Sequence, residues 1–158
     1  MVAPDDAPVD RRRSDTDFAP SLLLYFDASV HYGADNATPT SAAVGFLVES
    51  GVTTHIERSL AVDAFVATAH LEYRALLEAV RAVTATGDRV ASLHVHGDAD
   101  AVIRAVDPDH PAEPGDRICR DRVDAIRAAV ADIPVVTYRA VRRGENERAH
   151  DLARAGHR

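Results

Sequence analysis

The sequence predicts an α/β fold: a five-stranded mixed sheet, three strands antiparallel, with helices on both faces. Two observations carry that prediction. Residues 42–49 (AAVGFLVE) and 52–60 (VTTHIERSL) flank Ser50-Gly51, a hairpin turn signal that pairs them antiparallel. Downstream, strand-like runs are separated by helical stretches, and that alternation demands parallel pairing through right-handed crossovers. The 158 residues are enough for one domain with its own core.

The elements follow in chain order β-β-β-α-β-α-α-β-α. Residues 1–20 are polar, lack the apolar centre of a secretory signal, and are expected to be a disordered tail ahead of a domain at 21–158. Residues 22–27 are predicted to be a strand buried on both faces, because Leu22 to Phe26 do not alternate. The two hairpin strands come next. Residues 68–86 carry an apolar stripe through Leu76, Ala79, Val80 and Val83, which predicts a long helix stopped by Gly87-Asp88. The run RVASLHVHG predicts a strand, and a helix follows from about Asp98 to Val106. DPDHPAEPG, with three prolines, is a loop; residues 115–131 are a helix; PVVTYRAV is the fifth strand; a last helix starts near Glu145.

Composition narrows the function classes. No apolar run approaches the ~18 residues of a membrane span. The single cysteine, Cys119, rules out an internal disulfide and fits a reducing cytoplasm. Net charge is −7 and every one of the 18 basic residues is Arg. An acidic, Lys-free, Ala-rich chain points to a high-GC genome and a salt-rich cytoplasm. Such a surface gains little from neutralising phosphates, so nucleic-acid binding must be local or metal-assisted. Arg11 to Arg13 are a short basic run that solvation alone explains.

Three carboxylates stand out. Asp27 directly follows the apolar run, and a carboxylate buried alone costs several kcal/mol, so it needs a partner or a cation. Asp98 follows a strand at its carboxyl end, where ligands sit in open α/β sheets; as a bland alternative it caps the next helix. Glu72 lies four residues before Leu76 and shares the buried side of its helix, unless it merely answers the positive helix end. Three carboxylates at one end of one sheet repel each other, and a hard divalent cation relieves that.

YFDAS, TAHLEYRALLEAV, VHGDADAVIRAV and GENERAHDLARA occur in that order over residues 21–156. Together they make the chain resemble the type 1 ribonuclease H family, in particular its reverse-transcriptase-like branch, with a composition suited to a divergent halophilic or archaeal member. The resemblance implies a ribonuclease H-like fold and makes Asp27, Glu72 and Asp98 metal-binding and catalytic. It implies one or two Mg²⁺ or Mn²⁺ ions and an RNA–DNA hybrid, or RNA, as the partner. The family's fourth carboxylate does not carry over: His150 falls at its place and Asp151 one position later. One residue is about 100° on a helix, so Asn146, Ala149, His150 and Ala153 share the inward stripe and Asp151 points out. His150 is therefore the fourth site residue, as a metal ligand or a proton carrier, with a preference for Mn²⁺ expected. Ser29, Asn146 and Arg143 are expected to contact substrate.

Departures from the family pattern leave a second outcome, a binding or regulatory module without turnover. The turn after the first strand, VHYGADNATPTS, is longer and poorer in glycine than the family's, Ala99 and Asp100 differ from its motif, and no basic insertion is present. Other constellations are weaker. His94, His96 and Asp98 spell a zinc-like H-x-H-x-D without a fourth ligand nearby; His94 is expected under a helix and His96 at the site rim. His70 is expected to be exposed, and Cys119 to lack a base partner. His31, His55, His110 and His157 carry no assigned role. A phosphatase-type nucleophile at Asp27 would need a second Asp at position 29 and a later Lys; residue 29 is Ser and there is no Lys.

Overall fold

A computed structural model of the chain describes residues 19–63, 68–109 and 112–157. The expected tail up to residue 18, its Arg11–Arg13 run and His110 lie outside them. The elements are β1 (Ser21–Tyr32), β2 (Pro39–Ser50), β3 (Thr53–Val62), α1 (Thr68–Ala85), β4 (Ser92–Gly97), α2 (Asp100–Val106), α3 (Arg117–Ala129), β5 (Val135–Ala140), a 3-10 turn (Arg143–Glu145) and α4 (Glu147–Ala155). The five strands form one sheet in the order β3-β2-β1-β4-β5. β1 pairs antiparallel with β2 and β2 with β3, while β1–β4 and β4–β5 are parallel. This is the mixed sheet the sequence predicts.

Two turns explain the hairpin and the end of α1. Ser50 pairs with Thr53, leaving Gly51 and Val52 as a two-residue loop, and Gly51 takes φ 58°, which glycine adopts without strain. Gly87 does the same at φ 72°, its N–H reaching Thr84 O at 3.3 Å as α1 ends.

The principal core lies on one face of the sheet. Leu22, Leu24 and Phe26 of β1 join Val44, Phe46 and Val48 of β2 and Leu93 and Val95 of β4 beneath Leu76, Val80 and Val83 of α1 and Val123 and Ile126 of α3. The other face is covered by α4, only nine residues long. Ala43 and Leu47 are buried there with Ala149 and Ala153. Gly45 makes this close approach possible: a Cβ on it would lie 2.2 Å from Ala153 N.

The expectation for β1 needs two corrections. The strand does not end at Asp27; it stays paired with β2 as far as Tyr32↔Pro39. Asp35 makes the late turn possible, its Oδ1 accepting the N–H groups of Ala37 and Thr38. Nor is β1 sealed on both faces: Leu22, Leu24 and Phe26 are buried, whereas Leu23 and Tyr25 are half-buried, since the short α4 covers less than α1 does. Side chains therefore alternate after all.

Candidate active site

The strand order reverses between β1 and β4. Their pairing stops at Phe26↔Gly97, so Asp27 and Asp98 each sit one residue beyond the last shared rung. Past that rung β1 keeps β2 on one edge but is no longer flanked by β4 on the other, so the two faces of the sheet meet there. Asp27 lies opposite Gly45, on the α4 side. Glu72 comes from α1 on the core side. All three line one open cleft of about 270 Å³, together with Ala28, Ala99, Arg143 and His150. A larger cavity of about 610 Å³ opens at the other end of the strands, near Gly87, Val90 and Ile133, and holds no comparable carboxylate cluster.

The bland explanations for two carboxylates fail in the structure. Ala99, not Asp98, occupies the N-cap of α2, and no side chain caps that helix. Asp98 instead takes a long 3.4 Å hydrogen bond at Oδ1 from the Asn146 amide. Glu72 lies past the first turn of α1, which contains no acidic residue, so it caps nothing. Its Oε2 is sealed from solvent and has no hydrogen-bond partner. Burial first, then the charges of Asp27 and Asp98, push the Glu72 carboxyl up to about 8. Asp27, 4% exposed, is also raised, by burial and then by Asp98, with His150 opposing.

An all-oxygen donor set with an orphaned buried oxygen fits a hard divalent cation. The ligand atoms of the three residues do not all lie within 4.8 Å of one another, a spread that the separate group His70, Asp116 and Cys119 does satisfy.

His150 reaches the cleft from α4. Its Nδ1 lies 2.9 Å from Asp27 Oδ2, and its Nε2 lies 3.5 Å from the Arg143 guanidinium. Arg carries only donors, so Nε2 accepts and Nδ1–H donates to Asp27. Asp151 is exposed on the far side of the helix. The inward stripe expected for α4 is the one observed, because helical spacing fixed it.

The three expected substrate contacts separate in space. Arg143 is exposed at the cleft edge. Asn146 is 1% exposed, and its amide donates to Phe26 O at 3.0 Å, so it fastens the start of α4 to β1. Ser29 Oγ faces His157 Nε2 at 2.9 Å, while His157 Nδ1 meets Ser41 Oγ at 2.6 Å and the His31 ring stacks on it at 3.5 Å. This pin on the chain's last turn had no sequence signal, since 128 residues separate Ser29 from His157.

Three histidine and cysteine expectations change, those for His94, His70 and Cys119. His94 is half-buried and bonds Thr137 Oγ1 at 2.6 Å rather than packing under a helix. His96 meets Tyr25 edge-on at 5.1 Å, and it does not form a metal group with His94 and Asp98 among the described residues. His70 is buried, not exposed, with Nε2 2.7 Å from Asp116 Oδ2. Cys119 does have neighbours, His70 and Asp116. Burial and then Asp116 push its thiol up to about 11, so it is no thiolate nucleophile.

No protein-family model matches this sequence, and no curated protein does. Solved structures match it well. The ribonuclease H1 of the halophilic archaeon Halobacterium salinarum NRC-1 superposes with a TM-score of 0.73 at 23% identity, over 86% of this chain and 96% of that one. The N-terminal ribonuclease H domain of Mycobacterium tuberculosis rv2228c gives 0.71 at 17% identity, covering 87% and 96%. LC11-RNase H1, isolated from compost and solved with an RNA/DNA hybrid, gives 0.71 at 18% identity, covering 84% and 93%. At these identities what is shared is the architecture: in its sheet order and the helices on both faces, the chain has the ribonuclease H-like fold.

Proposed function

We propose that the protein is a metal-dependent endonuclease that hydrolyses phosphodiester bonds, with the RNA strand of an RNA–DNA hybrid as its substrate, and that it works in a reducing cytoplasm. The observation that carries this is Glu72 Oε2, a buried carboxylate oxygen with no partner, facing Asp27 and Asp98. A structural cluster would have satisfied that oxygen; a cation site leaves it free for the ion. The complex of LC11-RNase H1 with a hybrid supports the substrate class.

Asp27, Glu72 and Asp98 would hold Mg²⁺ or Mn²⁺, and the bound ions would supply an activated water and charge neutralisation at the leaving 3′ oxygen. The protein's own groups do the rest. Arg143, exposed at the cleft edge, attracts the scissile phosphate. Asn146 holds β1 and Asp98 in mutual register from a buried position. Asp27 orients His150 through Nδ1, and Nε2, 3.5 Å from the Arg143 guanidinium, would ligate an ion or carry a proton once Arg143 turns to the phosphate. Contacts to 2′-hydroxyls would distinguish RNA from DNA.

Imidazole suits Mn²⁺ better than Mg²⁺. Cleavage of a hybrid is therefore expected to be weak and stronger with Mn²⁺, absent in Asp98→Asn, and altered in its metal preference by His150→Ala. Gel assays on hybrid, duplex RNA and duplex DNA with each metal measure this. Full Mg²⁺ activity indifferent to His150→Ala would remove His150 from the metal shell. One observation favours a second reading: the Asp27 carboxylate is already engaged by His150. Metal-dependent hybrid binding without any cutting would make the protein a binding module.

A further inference from the structure

We propose that His70, Asp116 and Cys119 form a second metal site, for one borderline-soft divalent transition ion such as Zn²⁺, which staples α1 to α3. The proposal does not depend on the nuclease reading.

The three residues come from two helices. His70 is in the first turn of α1, Asp116 is the N-cap of α3, and Cys119 is in the first turn of α3. One ligand atom from each lies within 4.8 Å of the other two, and among the described residues no other group of histidine, cysteine and carboxylate does so. Imidazole, thiolate and carboxylate together are the donor mixture zinc takes, and a poor set for Mg²⁺ or Ca²⁺, which want oxygen alone.

The ion would replace the 2.7 Å hydrogen bond between His70 and Asp116, a small separation of two side chains that leaves the fold in place. Asp116 caps α3 through Oδ1, which accepts the Cys119 N–H at 2.8 Å. Its other oxygen, Oδ2, faces His70 Nε2. The cap and the ligand thus use different oxygens. His70 and Cys119 are 5% and 3% exposed, while the Asp116 side chain is 49% exposed. The ion would therefore have a dry side with two protein ligands and a wet side where water completes four-coordination. Binding exchanges protons for the ion: the Cys119 thiol proton leaves to solvent, the proton that His70 Nε2 shares with Asp116 moves to Nδ1 through solvent, and the thiolate and the Asp116 carboxylate together balance the +2 charge. Arg122 already donates to His70 O at 2.5 Å and holds the same corner of α1 to α3. His70 precedes Glu72 by two residues, so the staple would fix the turn of α1 that presents Glu72 to the cleft.

The test uses the full chain carrying Asp98→Asn, which weakens the carboxylate cleft, stripped of metal and titrated with Co²⁺ and then Zn²⁺. One equivalent of Co²⁺ should bind with a thiolate-to-cobalt charge-transfer absorption, resist excess Mg²⁺, and yield to Zn²⁺, which should raise the melting temperature. Cys119→Ser should abolish the absorption and weaken Zn²⁺ by more than about tenfold, since even residues that only support a ligand cost about that much when mutated; His70→Gln should weaken it similarly. If His70→Gln does not fold, Cys119→Ser, nearly unchanged in volume, decides alone. Absence of stoichiometric binding, equal zinc stabilisation of Cys119→Ser, or displacement of Co²⁺ by Mg²⁺ overturns the proposal.

Discussion

Glu72→Gln should abolish hybrid cleavage while making the metal-free protein more stable at alkaline pH. The loss of activity should exceed about a thousandfold, ~4 kcal/mol, because a charged ligand in the cleft is gone. The gain in stability follows from linkage. The ordinary glutamate value is 4.5 and the folded value about 8. Below 4.5 Glu72 is protonated in both states and costs nothing. Between 4.5 and 8 the unfolded chain releases the proton and the folded one keeps it, so stability falls as pH rises, and the loss is complete above about 8. Glutamine removes that slope. Thermal unfolding of both proteins in chelator from pH 4 to 9 checks it: the wild type should lose ground steadily across the window and the variant should not. Added Mg²⁺ or Mn²⁺ should stabilise the wild type at high pH, because cation binding favours the ionised carboxylate. A variant that matches the wild-type slope would mean Glu72 is ordinarily ionised, and the case for a cation-hungry cleft would fall.

Gly45→Ala should cost more than a methyl added at any other glycine. The added carbon would lie 2.2 Å from Ala153 N and 2.6 Å from Leu152 C, both backbone atoms of α4. Neither can rotate away, so the helix itself must lift. Overpacking of this kind costs about 1–3 kcal/mol, a melting-temperature drop of several degrees in a domain this size. The displacement would also carry His150 away from Asp27, so the effect of Mn²⁺ on cleavage should change along with stability. Differential scanning calorimetry together with cleavage assays in each metal would measure both. An unchanged melting temperature would show that α4 is not seated against Gly45.

Much of this was legible in the sequence because it depends on local period. The hairpin at Ser50-Gly51, the long α1 stripe and the inward placement of position 150 rather than 151 all follow from repeats of two or 3.6 residues. What was hidden depends on distance along the chain. The extent of β1 past Asp27 is decided by its pairing with β2, not by its own residues. The environment of His70 is set by α3, 46 residues later, and the same holds for Cys119 in reverse. His157 gave no sign of its two serine partners for the same reason. Helix caps misled in the opposite sense: Asp98 fits the composition of an N-cap, yet the chain starts α2 one residue further on.

The apolar run Leu22–Phe26 does not by itself say which of its residues should face the core. Shifted by one position, it would offer almost as much hydrophobic surface, but Phe26 would stand in the cleft and Asp27 would enter the core. Two missing methyl groups decide between these alternatives. Gly97 leaves a gap that the Phe26 ring fills, since a Cβ there would sit 2.4 Å from Phe26 Cε1. Gly45, opposite Asp27, leaves the gap that the α4 backbone fills. The glycines work as notches that index the strand, so the accuracy of the carboxylate cleft is written largely in residues that carry no chemistry at all.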